Sequence, residues 1–142
     1  IWADVEHNRK RMLEICPDVD FYISATLSIF NAMHIVDFHK DWVAKGFIKP
    51  QDFNINILQD PQHYRIDIAP KKYKEKIKKK YQDHLIWLKG DDLARASNGF
   101  KSAIKFLDND NQELQTFWDK TNQLDSIRDE LILDYIPELR EI

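Results

Sequence analysis

The run DFYISATLSIF, residues 20–30, constrains this chain more than any other segment. It is rich in β-branched and aromatic residues and almost unbroken in apolar character. A strand buried on both faces, as in a parallel sheet, has that composition. A second strand is predicted at 53–58, FNINIL, where Phe53, Ile55 and Ile57 alternate with Asn54 and Asn56. Helices are predicted around these strands. Residues 3–15 place Val5, Met12 and Leu13 on one face and leave Arg9, Lys10 and Arg11 to water, and Cys16-Pro17 ends the run. Residues 32–45 align Ile35, Phe38 and Trp42 before the stop at Gly46. Helix, strand, helix, strand is the order of a parallel sheet with right-handed crossovers. Two parallel strands do not make a sheet that stands alone. Further strands are therefore expected in a partner chain or upstream of Ile1, and the chain by itself is expected to fold only in part.

Beyond residue 62 the pattern becomes helical. Pro70 opens a helix over 71–89 with Tyr73, Ile77, Tyr81, Leu85 and Leu88 on one stripe, and Gly90 closes it. Asp91 or Asp92 caps a helix over 93–107, in which Gly99 costs about 1 kcal/mol relative to Ala. A third helix is predicted over 112–135, with a break near Thr121-Asn122 and a buried face of Leu124, Ile127, Leu131 and Tyr135. Pro137 ends it.

The 142 residues carry a net charge of −3, unevenly spread. Residues 71–89 hold eight lysines and two acids, whereas 106–142 hold ten acids and three bases. The simplest reading is that the two regions complement each other. A polyanion contact through the seven lysines of 71–80 is the bolder one. Nucleic acid is not the expected partner, because the block has no arginine and its tyrosines fall on the apolar stripe. With Cys16 the sole cysteine, an intrachain disulfide, a four-cysteine zinc site and a self-contained iron–sulfur cluster are all excluded. No apolar run approaches the ~20 residues that span a bilayer, so no membrane partner is expected and a reducing, cytoplasmic setting is.

Four local patterns resemble the C-terminal half of radical S-adenosylmethionine proteins that carry a SPASM- or twitch-type extension. A helix ends in CPDVD and leads into ISATLSIFN; a second helix leads into FNINILQDPQHY; APKKYKEKI opens a lysine-rich helix; and LDSIRDELILDYIPEL closes the chain. The likeness runs from Asn8 to Leu139. It implies an α/β part followed by an all-α part: residues 1–62 as the last two β/α units of a partial (β/α)6 barrel, and 63–142 as a helical extension. It also implies S-adenosylmethionine and a [4Fe–4S] cluster in the full-length protein, held through a CxxxCxxC motif. This sequence has no such motif, so this chain alone binds neither group and depends on the missing N-terminal barrel half. A peptide substrate is implied for the helical tail.

Ligands of α/β sheets sit at the carboxyl ends of the strands. That selects Ser28 and Asn31 after the first strand, and Leu58 and Gln59 after the second. The resemblance gives Asn31 a cofactor-facing role and Leu58 a backbone contact to adenine. Asn31 also reads as a helix N-cap. His34, Asp37 and Asp41 share a helix face that His39 does not, but three ligands from one helix read more simply as a solvated face than as a metal site. Asp108-Asn109-Asp110 opens like a calcium loop but lacks the glycine and the closing glutamate, so no metal is assigned. The alternative to an enzyme part is a non-catalytic helical module that uses the basic helix 71–89 on an acidic or nucleic-acid partner.

Overall fold

A computed structural model describes residues 1–88 and 94–142. The chain is mostly helical, with one two-stranded parallel sheet. In order, α1 spans Trp2–Ile15, β1 Ile23–Leu27, α2 Ile35–Ala44 and β2 Phe53–Ile57. Two short 3-10 turns, Gln62–Tyr64 and Ile66–Ile68, lead to α3 at Lys71–Trp87, α4 at Ala94–Phe106, α5 at Leu114–Arg128 and α6 at Ile132–Tyr135. A last 3-10 turn runs Pro137–Glu141. Helix closure at Gly90, the cap at Asp91 or Asp92 and the place of Leu93 lie outside the described residues. No helix among the described residues is long and apolar enough to cross a membrane.

The first strand is shorter than predicted, and it is not buried on both faces. Its register pairs Ile23 with Phe53, Ala25 with Ile55 and Leu27 with Ile57. In a parallel pair, partners point to the same side of the sheet. That side meets α2 and α4: Phe53 stacks on His39 of α2 at 4.1 Å between ring centroids, and on Phe100 of α4 at 6.4 Å. The other side carries Ser24, Thr26, Asn54 and Asn56. Ser24, Thr26 and Asn56 are exposed, Asn54 is half-buried, and the Asn56 amide donates to Ser24 Oγ at 2.7 Å. The serine and threonine inside DFYISATLSIF mark a polar face that the β-branched character of the run obscures.

Glycine at position 99 has a steric cause. A Cβ there would lie 3.0 Å from Ile55 Cβ and 3.3 Å from Ile55 N, so α4 presses its backbone against β2. Gly99→Ala is expected to destabilise the chain by about 1–2 kcal/mol, overpacking outweighing the gain in helix propensity. A urea titration checks this; a more stable variant would show that α4 has room to move off the strand.

Other sequence expectations give way to packing. Arg9, predicted wet, is buried: its Nε and Nη2 donate to the Phe47 carbonyl at 2.8 and 2.6 Å, and its guanidinium lies over Phe21. Val5, predicted to share the covered face, is exposed. The helix predicted over 112–135 breaks not at Thr121-Asn122 but at 129–131, where Asp129 takes a left-handed φ of 54°. Leu124, Ile127, Leu131 and Tyr135, predicted buried, are exposed; Phe117, Thr121 and Leu139 are the buried residues of this region. One continuous core joins the sheet, α3 and α4 through Phe53, Tyr81, Phe100 and Leu107.

Candidate functional site

The carboxyl ends of β1 and β2 lie side by side, since the Leu58 N–H donates to the Leu27 carbonyl at 3.0 Å. The four residues selected by sequence therefore come together at one end of the sheet. Asn31 braces the loop after β1: its Oδ1 accepts from the Ser28 N–H at 2.9 Å, and its Nδ2 donates to the Thr26 carbonyl at 2.9 Å. It is not the side-chain cap of α2. His34 occupies the N-cap position and makes no side-chain cap bond, while the Asn31 main-chain carbonyl accepts from Ile35 N at 3.0 Å. The reason is the seven-residue loop between Leu27 and the helix, which carries Asn31 back toward the strand it leaves. Leu58 is half-buried, and its N–H belongs to the ladder. Gln59 is exposed and donates to the Ile57 carbonyl at 3.2 Å. Both amide side chains thus satisfy main-chain carbonyls that strand pairing leaves over.

The predicted metal-type residues do not converge. His34 pairs with Glu138, Asp37 with Lys80 at 2.6 Å, and Asp41 with Lys45 at 2.7 Å. Among the described residues no group of three metal-ligating side chains forms. A [4Fe–4S] cluster needs three thiolates, and the chain offers Cys16 alone, exposed at the end of α1. These residues do not fit the cluster. The lysine block is largely engaged within the chain. Lys74 donates to the Asn109 carbonyl, Lys76 pairs with Glu141, Lys78 with Asp108, Lys79 with Asp83 and Lys80 with Asp37. Three of these acceptors, at 108, 109 and 141, belong to the acidic C-terminal region. Each exposed pair contributes a few tenths of a kcal/mol at most, and Lys74 meets a neutral carbonyl, not a charge.

Sequence reasoning missed the most unusual polar pair. His39 and His84 are both fully buried, with His39 Nδ1 3.0 Å from His84 Nε2. His39 Nε2 lies 3.1 Å from the Pro50 carbonyl, which only accepts, so that nitrogen carries the hydrogen. His39 Nδ1 then accepts from His84 Nε2–H, and His84 Nδ1 is left without a partner. Burial pushes the pKa of His39 down to about 4. Burial, then the charge of a protonated His39, pushes His84 down to about 3. The pair is neutral at physiological pH and serves as a polar clasp between α2 and α3. The two positions stand 45 residues apart, and neither carries a local signal of the other.

No protein-family model, no curated protein and no solved structure matches this chain.

Proposed function

We propose that this chain is the C-terminal part of a radical S-adenosylmethionine enzyme, supplying two β/α units of its barrel and a helical tail. The observation that carries this reading is the two-sided character of the sheet. Helices cover the face of Phe53 and Ile55, while Ser24, Thr26, Asn54 and Asn56 line the opposite, polar face, bordered near Ser24 and Asn54 by Arg95 of α4. In a β/α barrel the helix-free face is the interior, and ligands approach its carboxyl end. Ser28, Asn31, Leu58 and Gln59 stand at that end. There the Leu58 main chain and the loop braced by Asn31 would bound the S-adenosylmethionine site. The missing N-terminal half would supply the [4Fe–4S] cluster, which when bound provides the electron that cleaves the carbon–sulfur bond of S-adenosylmethionine. The tail formed by α5 and α6 would flank the same end, because Phe117 of α5 packs on Phe30 at 5.6 Å between ring centroids. There it would border the space open to a substrate, a peptide by the resemblance.

The test is S-adenosylmethionine cleavage by the protein at the length its gene encodes. The protein is purified without oxygen, supplied with iron and sulfide, and reduced with dithionite. Reductant-dependent release of methionine and 5′-deoxyadenosine is the expected result. A protein that takes up no iron and releases neither product would overturn the proposal.

A further inference from the structure

We infer that the hollow between the end of α5 and α6 is a docking site for a basic, amphipathic peptide segment of a partner protein. The apolar side chains give the first reason. The segment LILDYI, residues 131–136, is apolar at every position except Asp134. Ile132, Leu133 and Ile136 pack against the core, whereas Leu131 and Tyr135 are 59% and 68% exposed. Both line an open hollow of about 600 Å3. The hollow is already shaped. Asp125 Oδ2 accepts from the Ile132 N–H at 3.0 Å, and the Asp125 carbonyl accepts from the Glu130 N–H at 3.1 Å. A partner therefore binds with little ordering of this surface.

The charges around the hollow identify the partner. Asp125, Asp129, Glu130 and Asp134 line it together with Leu131 and Tyr135, and no base does. Asp125 and Asp129 stand four positions apart, a spacing at which like charges repel. They also sit at the C-terminal end of α5, where the helix dipole favours bases. Other acids of the tail are matched from within the chain: Asp108 by Lys78, Glu138 by His34 and Glu141 by Lys76. Among the described residues no ion pair reaches the four acids of the hollow.

A metal ion does not answer these charges. Carboxylates that hold an ion converge on one point, and no such group of three forms among the described residues. Carboxylates spread around two exposed apolar side chains match a ligand whose cations are also spread out, with apolar side chains between them. One such cation can lie on the Tyr135 ring. A purely polar polycation would leave Leu131 in water, and an acidic partner would meet like charge. This inference rests on the surface of the tail and not on the cofactor assignment, so the two fail separately.

The test is fluorescence anisotropy of a labelled helical peptide, with one lysine face and one leucine face, titrated with the protein at its encoded length. The triple variant Asp129→Asn, Glu130→Gln, Asp134→Asn is expected to bind on the order of tenfold more weakly, as three charge contacts are lost. Tyr135→Ser is expected to weaken binding on the order of fivefold and to leave its salt dependence unchanged. A second triple variant, Glu14→Gln, Asp18→Asn, Asp119→Asn, removes the same charge from exposed positions outside the hollow and is expected to bind like the parent. Equal losses in the two triple variants would overturn the inference, because net charge alone would then hold the peptide. So would unchanged binding by Tyr135→Ser, since the acids would then act without the apolar floor. Self-association of the protein that the hollow variants abolish would also overturn it, because a second copy would then be the occupant.

Discussion

Acidification from pH 7 to pH 4 is expected to lower the stability of this chain by about 3 kcal/mol through His39 alone. The two buried histidines hold folded-state pKa values near 4 and 3, against 6.5 in the unfolded chain. The unfolded chain therefore binds protons first. Stability is full above about pH 6.5, falls as the pH drops below it, and levels off once the native pair also protonates. The groups facing the pair are few: Phe53, Phe100 and Trp87 are neutral, and Lys40 and Asp37 act in opposite senses on His84. Most of the window lies above the carboxylate range, so urea midpoints at pH 7, 6 and 5 isolate the effect. A midpoint that stays level from pH 7 to pH 5 would show that the pair is solvated.

The largest single-residue effect is expected at Phe100. Its ring is fully buried and meets His84 at 4.5 Å and Tyr81 at 5.2 Å between centroids. It is where α4, α3 and the sheet share one contact. Phe100→Ala is expected to cost about 3–5 kcal/mol, which combines lost transfer free energy and the cavity left behind. That is a large share of the 5–15 kcal/mol typical of a whole domain. Ile127→Ala provides the contrast. Ile127 is 73% exposed, and its loss in the 142-residue chain is expected to stay within about 0.5 kcal/mol. Equal costs at the two positions would mean that the helical stripe of α5, and not the contact through Phe100, organises the core.

How far the sequence announced this structure depends on whether the cause is local. The alternation of Asn54 and Asn56 with Phe53, Ile55 and Ile57 announced β2 and its covered face. Pro70 and the spacing of Tyr73, Ile77 and Tyr81 announced α3, and all three are buried. The opposed charges of the lysine helix and the C-terminal region announced the contacts of Lys76 and Lys78. The candidate site was legible as a place, because strand ends follow from strands, but Asn31's bracing role was not. That role depends on the loop turning back toward Thr26. Non-local causes left little trace. Burial of Arg9 depends on the end of α2, 38 residues away, and Gly99 on a strand 44 positions earlier. The apolar spacing of Leu124, Ile127 and Leu131 is genuine, yet no described element covers those residues, so periodicity alone misled.

The most direct measurement is the coding sequence upstream of Ile1. The account predicts an in-frame CxxxCxxC there, followed by strand–helix units of roughly 30 residues each, the last strand leading into α1. A start codon close to Ile1 with no such motif would contradict it, because the polar face and the carboxyl-end loops would then have no cluster to serve.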